Sequence, residues 1–362
     1  MAMISIRTVR FVAPLALTIV AAVSSPARTA AAVTGLPDTP AATATAWNNP
    51  IVPQRADPHV ILHSDGFYYL VATVPEYDRV ELRRARTLGA LADAEPRTIW
   101  RRPTEGPMSG VVWAPEIHFI DGVWYIYFSG GDVPGKIHSV RLYVLENAAA
   151  DPFAGEWRAR GRIATPWDSF TLDPTTFEHR GVRYLVWTQA EPGIKGTNLY
   201  IARMDTPTSI EGTVLMLSRP EFAWEQRVYW VNEAPAVLVR HGRVFITFSA
   251  SATDHNYCLG LLTAREDADL LDARSWTKSP QPVFRSSEST SQYGPGHNSF
   301  TTTPDGRIDI LVYHSRNYRE IPGEALANPD RATRAQVVSW TADGTPDFGV
   351  PVADGPYSIP DR

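Results

Sequence analysis

Apolar residues along this chain come in short blocks rather than at helical spacing, and the blocks recur. A polar segment, a β-prone stretch, a turn dipeptide and a second apolar stretch follow one another five times. The five segments carry Asp57, Glu116, Asp173, Glu233 and His297, which stand 59, 57, 60 and 64 residues apart. After them come the turn dipeptides Asp65-Gly66, Asp121-Gly122, Arg180-Gly181, His241-Gly242 and Asp305-Gly306. Each turn leads into a run such as Phe67-Tyr68-Tyr69-Leu70 or Val123-Trp124-Tyr125-Ile126. Runs rich in Val, Ile, Tyr and Phe, bounded by Gly, Asp and Pro, predict β-hairpins.

Every unit offers a third strand, for example Val80 to Arg84, Asn198 to Ala202 and Gln336 to Trp340. The fourth is less clear, with Trp157 to Arg160 and Trp276 to Lys278 as candidates. Self-similarity at this period indicates a solenoid or a propeller. Rungs of a parallel β-helix are shorter than these units. The predicted fold is therefore all-β, a five-bladed β-propeller with about four strands per blade. The first strand of each blade would line the central channel, and the five anchors would converge at one end of it.

The N-terminus stands outside this pattern. Arg7 and Arg10 precede an apolar run from Phe11 to Val23, too short to span a bilayer, and Ala30-Ala31-Ala32 follows. These features predict a secretory signal peptide over residues 1–32. Residues 33–53, rich in Ala, Thr and Pro, read as a linker or lead-in, and 54–362 as the propeller. Trp47 to Pro53 either adds a strand to the last blade or simply leads in. The net charge of −5, without a basic run, argues against a nucleic-acid partner, and no later segment is apolar enough to cross a membrane. Eleven Trp and fourteen Tyr suit a core, and they also suit stacking on sugar rings. Cys258 stands alone between apolar neighbours and reads as a buried strand residue.

Five motifs carry the chemistry: Ala56-Asp57-Pro58, Trp113-Ala114-Pro115-Glu116, Leu172-Asp173-Pro174, Asn232-Glu233-Ala234-Pro235 and Gly294-Pro295-Gly296-His297. In this order and spacing they resemble glycoside hydrolase family 43, over roughly Ala56 to Phe348. The resemblance implies an inverting hydrolase on a five-bladed propeller. By the same resemblance Asp57 matches the general base, Glu233 the general acid and Asp173 the third carboxylate. Inversion needs one carboxylate to activate water and an opposed acid to protonate the leaving oxygen, about 6.5–9.5 Å away. A negative neighbour such as Asp173 would keep Glu233 protonated.

Other assignments are weaker in chemistry. Glu116 shares the register of the acids but matches no catalytic role, so it reads as a channel residue paired with a donor. His297 matches an axial histidine of the family that faces water or a metal ion, usually calcium. A structural calcium in the channel is thus an implied option, although no cofactor is required for the chemistry and no calcium-loop motif is present. Trp113 is a candidate wall of the sugar subsite and Arg316 a candidate donor to sugar hydroxyls. His59, His63, His118, His138, His179 and His255 show no ligand spacing and read as packing or solvent residues. Serine-hydrolase elbows, zinc helices, phosphate loops and dinucleotide fingerprints are missing.

The expected activity is removal of terminal α-L-arabinofuranosyl residues from plant arabinan or arabinoxylan by a secreted enzyme. β-Xylosidase and endo-arabinanase of the same family, and a non-catalytic sugar-binding propeller, are the alternatives. Few residues follow the fifth unit, which favours arabinofuranosidase over xylosidases that carry a C-terminal β-sandwich.

Overall fold

Alternate residues of the middle strands face two different cores, which is why those strands are apolar on both faces. In the computed structural model, residues 46–359 are described. The expected signal peptide and residues 33–45 lie outside them.

Strand β1 (Ala46–Asn49) leads into blade one, built from β2 (Ala56–Leu62), β3 (Tyr68–Thr73), β4 (Arg79–Ala85) and β5 (Arg97–Arg101). Blade two follows with β6 (Val112–Ile120), β7 (Val123–Gly131), β8 (Val140–Asn147) and β9 (Arg158–Arg162). Blade three has β10 (Thr171–His179), β11 (Val182–Gln189), β12 (Asn198–Thr206) and β13 (Ser209–Ser218). Blade four has β14 (Asn232–Arg240), β15 (Arg243–Ala250), β16 (Cys258–Arg265) and β17 (Thr277–Lys278). Blade five contains β18 (Tyr293–Thr302), β19 (Asp309–Arg316) and β20 (Ala332–Val337). Two short pieces, β21 (Ser339–Trp340) and β22 (Pro346–Asp347), pair with each other, and β23 (Gly355–Ser358) pairs with β1.

All sheet pairs are antiparallel, and the inner strands β2, β6, β10, β14 and β18 pack in a ring, β18 against β2. Tyr68, Leu70 and Ala72 of β3 join a core shared with blade five, whereas Tyr69 and Val71 join the core shared with blade two. The same split sends Tyr184 and Val186 of β11 toward blade four and Leu185 and Trp187 toward blade two. Period-two alternation with both faces buried yields nearly continuous apolar runs. The candidate fourth strands at Trp157 and Trp276 correspond to β9 and β17. Three hairpins turn through Asp121-Gly122, Arg180-Gly181 and His241-Gly242 with positive φ at both positions, the turn whose twist matches the flanking strands.

Ring closure comes from the lead-in. Val52 bridges Thr333 beside β20, and the Trp47 indole N–H donates to the Ala335 carbonyl at 3.0 Å. Asn49 brackets Ala335, accepting its N–H at 2.9 Å and donating to its carbonyl at 2.9 Å. Residues 46–52 therefore run along β20 at the edge of the fifth blade.

Candidate active site

The inner strand of every blade is bulged near its start, between Ala56 and His59, Trp113 and Glu116, Leu172 and Thr175, Glu233 and Ala236, and Gly296 and Ser299. Within each bulge one residue takes a left-handed backbone: Asp57 (φ 53°), Ala114 (φ 46°), Asp173 (φ 53°), Ala234 (φ 53°) and His297 (φ 44°). These five are the equivalent positions. Glu116 lies two residues beyond its blade's position and Glu233 one before, so the common register expected for all five anchors holds only for Asp57, Asp173 and His297. A bulge re-aims the side chains around it, and the offset sends the two glutamates in different directions.

The bulge N–H groups are capped in four blades from the second strand of the preceding blade. His314 Nδ1 accepts from Asp57 at 3.0 Å, Thr73 Oγ1 from Ala114 at 2.7 Å, Ser129 Oγ from Asp173 at 2.8 Å and Ser249 Oγ from His297 at 2.8 Å. In blade four the cap is a carboxylate instead: Asp173 Oδ2 accepts from Ala234 N–H at 3.1 Å. Thr188, at the corresponding place on β11, has a buried hydroxyl without a partner.

Asp57, Asp173 and Glu233 line one cavity of about 940 Å³, together with Trp113, His297, Tyr257 and Arg331. The inner strand starts supply the carboxylates. The loops from second to third strand supply Tyr77, His138, Lys195, Tyr257 and Arg331.

The surroundings of the acids differ. Asp57 Oδ1 lies 3.2 Å from His297 Nδ1, 3.3 Å from His314 Nδ1 and 3.3 Å from the Arg331 guanidinium, and its Oδ2 accepts from Thr73 at 2.6 Å. Burial works against its charge, yet His297, Arg331 and His314 together hold it well below the usual carboxylate range. Burial pushes His297 down and His314 down to about 3. Near neutral pH, Arg331 is thus the standing positive charge beside Asp57.

Glu233 accepts from the Tyr257 hydroxyl at 2.7 Å. It is pushed up to about 7, first by burial; the Tyr257 hydroxyl opposes the shift and the charge of Asp57 adds to it. Asp173 is raised well above its usual value by burial, then by Glu233 and Asp57. Carboxyls that feel each other's charge lose their protons as a set. The Tyr257 ring lies parallel to His314 at 5.6 Å, and at Gly296 a Cβ would fall 2.3 Å from it. Glycine in the Gly-Pro-Gly-His motif is what leaves room for that tyrosine.

The other expected residues are sorted by the structure. Trp113 lies on the cavity wall, edge-to-face with Tyr77, and its indole N–H is buried without a protein acceptor. Arg316 is not on the wall. It is buried behind it, donating to Asn328 Oδ1 at 2.9 Å and to the carbonyls of Thr253 and Ala325 at 2.7 Å each. The wall guanidinium is Arg331, whose Nε has no partner. Neither Arg331 nor Tyr257 stands in a motif, although both come immediately before the third strand of their blade. The Cys258 thiol is buried in β16 and pushed up to about 12 by burial first.

The histidines are less scattered than the sequence suggests. Among the described residues, His59, Glu116 and His118 bring ligand-type atoms within 4.8 Å of one another. Glu116 Oε2 is 2.9 Å from His118 Nε2 and 3.6 Å from His59 Nε2. His59 Nδ1 accepts from Ile117 N–H at 3.3 Å, so a neutral ring keeps its proton on Nε2, facing the carboxylate. Glu116 is hydrogen-bonded to His118 and faces His59, whose Nε2 is committed to its proton.

The family profile described as glycosyl hydrolases family 43 matches residues 47–346. The chain is 55% identical over 331 residues to the extracellular exo-α-(1→5)-L-arabinofuranosidase of Streptomyces avermitilis, covering 89% of this chain and 69% of that protein. It is 54% identical to α-L-arabinofuranosidase 43 of Humicola insolens, covering 86% of this chain and 65% of that one. The chain thus spans about two thirds of the length of these relatives. The crystal structure of an α-L-arabinofuranosidase from Lactobacillus brevis superposes with a TM-score of 0.82 at 50% identity, over 85% of this chain and 98% of that one.

Proposed function

Because the chain belongs to glycosyl hydrolases family 43, we propose that it is a secreted α-L-arabinofuranosidase that removes terminal residues from arabinan- or arabinoxylan-type polysaccharide with inversion. The observation that carries this reading is one cavity holding three carboxyls in opposite surroundings. Asp57 sits against the Arg331 guanidinium, and Glu233 sits half-buried with only a tyrosine hydroxyl for partner. Asp57, as the anion, takes a proton from water, whose oxygen bonds to the anomeric carbon. The bond from that carbon to the bridging oxygen breaks, and Glu233 delivers its proton to that oxygen. Asp173 acts on the acid through the backbone: its bond to Ala234 N–H holds the chain next to the Glu233 side chain.

Trp113 and Arg331, both on the cavity wall, are the residues placed to contact the sugar. The chemistry needs no cofactor. The channel calcium that the resemblance implies would lie beside His297, whose Nδ1 is 3.2 Å from Asp57; calcium takes roughly six to eight oxygens, so water would have to complete its shell there. The N-terminal sequence that reads as a signal peptide and the extracellular naming of the Streptomyces relative support secretion.

Assay of the purified chain on nitrophenyl α-L-arabinofuranoside and nitrophenyl β-D-xyloside tests the substrate class. NMR of the first-formed sugar tests the stereochemistry, and initial retention would overturn single displacement. Asp57→Asn should lower kcat by about 10²–10⁴-fold. Glu233→Gln should cost as much on arabinotriose but less on the nitrophenyl glycoside, whose leaving group hardly needs a proton.

A further inference from the structure

Blade four breaks a rule that the other blades keep. In every blade the second strand packs on the inner strand of the next one: β3 on β6, β7 on β10, β11 on β14, β15 on β18 and β19 on β2. The register places one residue of each second strand opposite the position just before its own blade's left-handed residue. These are Thr73 opposite Ala56, Ser129 opposite Trp113, Thr188 opposite Leu172, Ser249 opposite Glu233 and His314 opposite Gly296. Four of the five accept the left-handed N–H of the next blade. Thr188 does not, because Asp173 Oδ2 holds Ala234 N–H.

The displaced cap is left unsatisfied. Thr188 is 0% exposed and its hydroxyl has no partner. A buried hydroxyl without a bond destabilises a fold, and a valine of nearly the same shape would avoid that penalty. The N–H at issue is just as enclosed, since Ala234 is 1% exposed. One buried donor thus has two acceptors assigned to it, the carboxylate by contact and the hydroxyl by the symmetry of the ring.

Asp173 has reason to leave this bond. Its Oδ2 is tied to the backbone and its Oδ1 lies 3.5 Å from the Ser129 hydroxyl, yet the residue lines the cavity. To turn Oδ2 toward a bound sugar it must release Ala234 N–H. In a pocket from which the sugar excludes water, that release would orphan a buried backbone donor. The Thr188 hydroxyl occupies the place from which the other blades cap this N–H. Because Glu233 precedes Ala234, the chain beside the proposed acid stays held with either acceptor.

We propose that Ala234 N–H changes acceptor during turnover, from Asp173 Oδ2 to Thr188 Oγ, and that Thr188 is the positioning residue that frees Asp173 to face the substrate. No proton is transferred: one hydrogen bond breaks and another forms at the same N–H. The exchange itself rests on the fold, and its use in turnover rests on the arabinofuranosidase reading above.

The exchange is tested by the chemical-denaturation midpoint of Thr188→Val in two backgrounds. In the wild-type chain valine removes only an unpartnered hydroxyl, so the midpoint should hold or rise. In Asp173→Ala the carboxylate is gone and Thr188 should already hold Ala234 N–H, so adding Thr188→Val should lower the midpoint. A loss of the same size in both backgrounds, or no loss in Asp173→Ala, would overturn the exchange. Its use in turnover is tested by steady-state kinetics on α-1,5-arabinotriose. Thr188→Val should lower kcat/KM about tenfold in a chain at least as stable as wild type, because release of Asp173 then orphans the N–H. Thr188→Ser, which keeps the hydroxyl, should restore the wild-type value. Unchanged kinetics in Thr188→Val would remove Thr188 from turnover. If the wild-type chain cleaved no arabinofuranoside, the arabinofuranosidase reading would fall and the role in turnover with it, while the midpoints would still decide the exchange.

Discussion

Tyr257 sets the working range of the proposed acid. Its hydroxyl donates to Glu233 and so favours the charged carboxylate, against burial, which favours the neutral one. Since Glu233 must hold its proton to act, activity should fall as pH rises past about 7. Asp57, held well below the usual range, should leave the acid side of the profile flat until low pH. Removing the donor in Tyr257→Phe should raise the Glu233 pKa and move the alkaline limb to higher pH, as a kcat/KM profile on arabinotriose would show. A limb that stayed in place or moved down would separate Tyr257 from the acid. Asp57, Asp173 and Glu233 were legible in the sequence because each sits in a short motif with its own proline. Tyr257 and Arg331 were not, because they reach the cavity through loops whose only shared feature is their place before a third strand. The choice of Arg316 failed for the same reason. Its guanidinium lies on β19 and turns into the wall to bind carbonyls that the loops leave open.

At the scale of the element, the bulge at the start of each inner strand decides what the motif residues do. Four of the five left-handed residues precede proline (Asp57, Ala114, Asp173 and Ala234), and the fifth, His297, precedes Asn298. The repeat visible in the sequence was that of the hairpins, and it located the motifs. It did not locate the bulge within each motif, so Glu116 seemed equivalent to the acids although it points to His59 and His118 instead. Gly296→Ala tests the coupling between a bulge and the site. Its Cβ would meet the Tyr257 ring at 2.3 Å, so overpacking of about 1–3 kcal/mol is expected in chemical denaturation. The same variant should shift the alkaline limb, because the displaced tyrosine is the donor to Glu233.

For the whole molecule, closure of the ring is the step on which the site depends, since Asp57 and His297 meet across the junction of blades one and five. The junction is held by residues from both ends of the described chain. Trp47 packs with Ile51, Val52, Leu70 and Val312 and lies at a tilt against the Tyr357 ring, and its indole N–H is bonded to the Ala335 carbonyl. Trp47→Ala should destabilise the protein by about 3–5 kcal/mol, read as a shift of the denaturation midpoint. Activity lost in step with unfolding would mark closure as a requirement for the site; full activity in a folded variant would count against it.

The amino-acid sequence by itself determined the hairpins, their number and the residue types at their starts. Turn chemistry and two-residue alternation act between neighbours in the chain. Tertiary structure alone decided which arginine faces the cavity, where Glu116 points and how the lead-in joins the last blade. Those outcomes depend on contacts between segments far apart in the chain, where a shift of one residue at a bulge turns a side chain from the channel to the pocket.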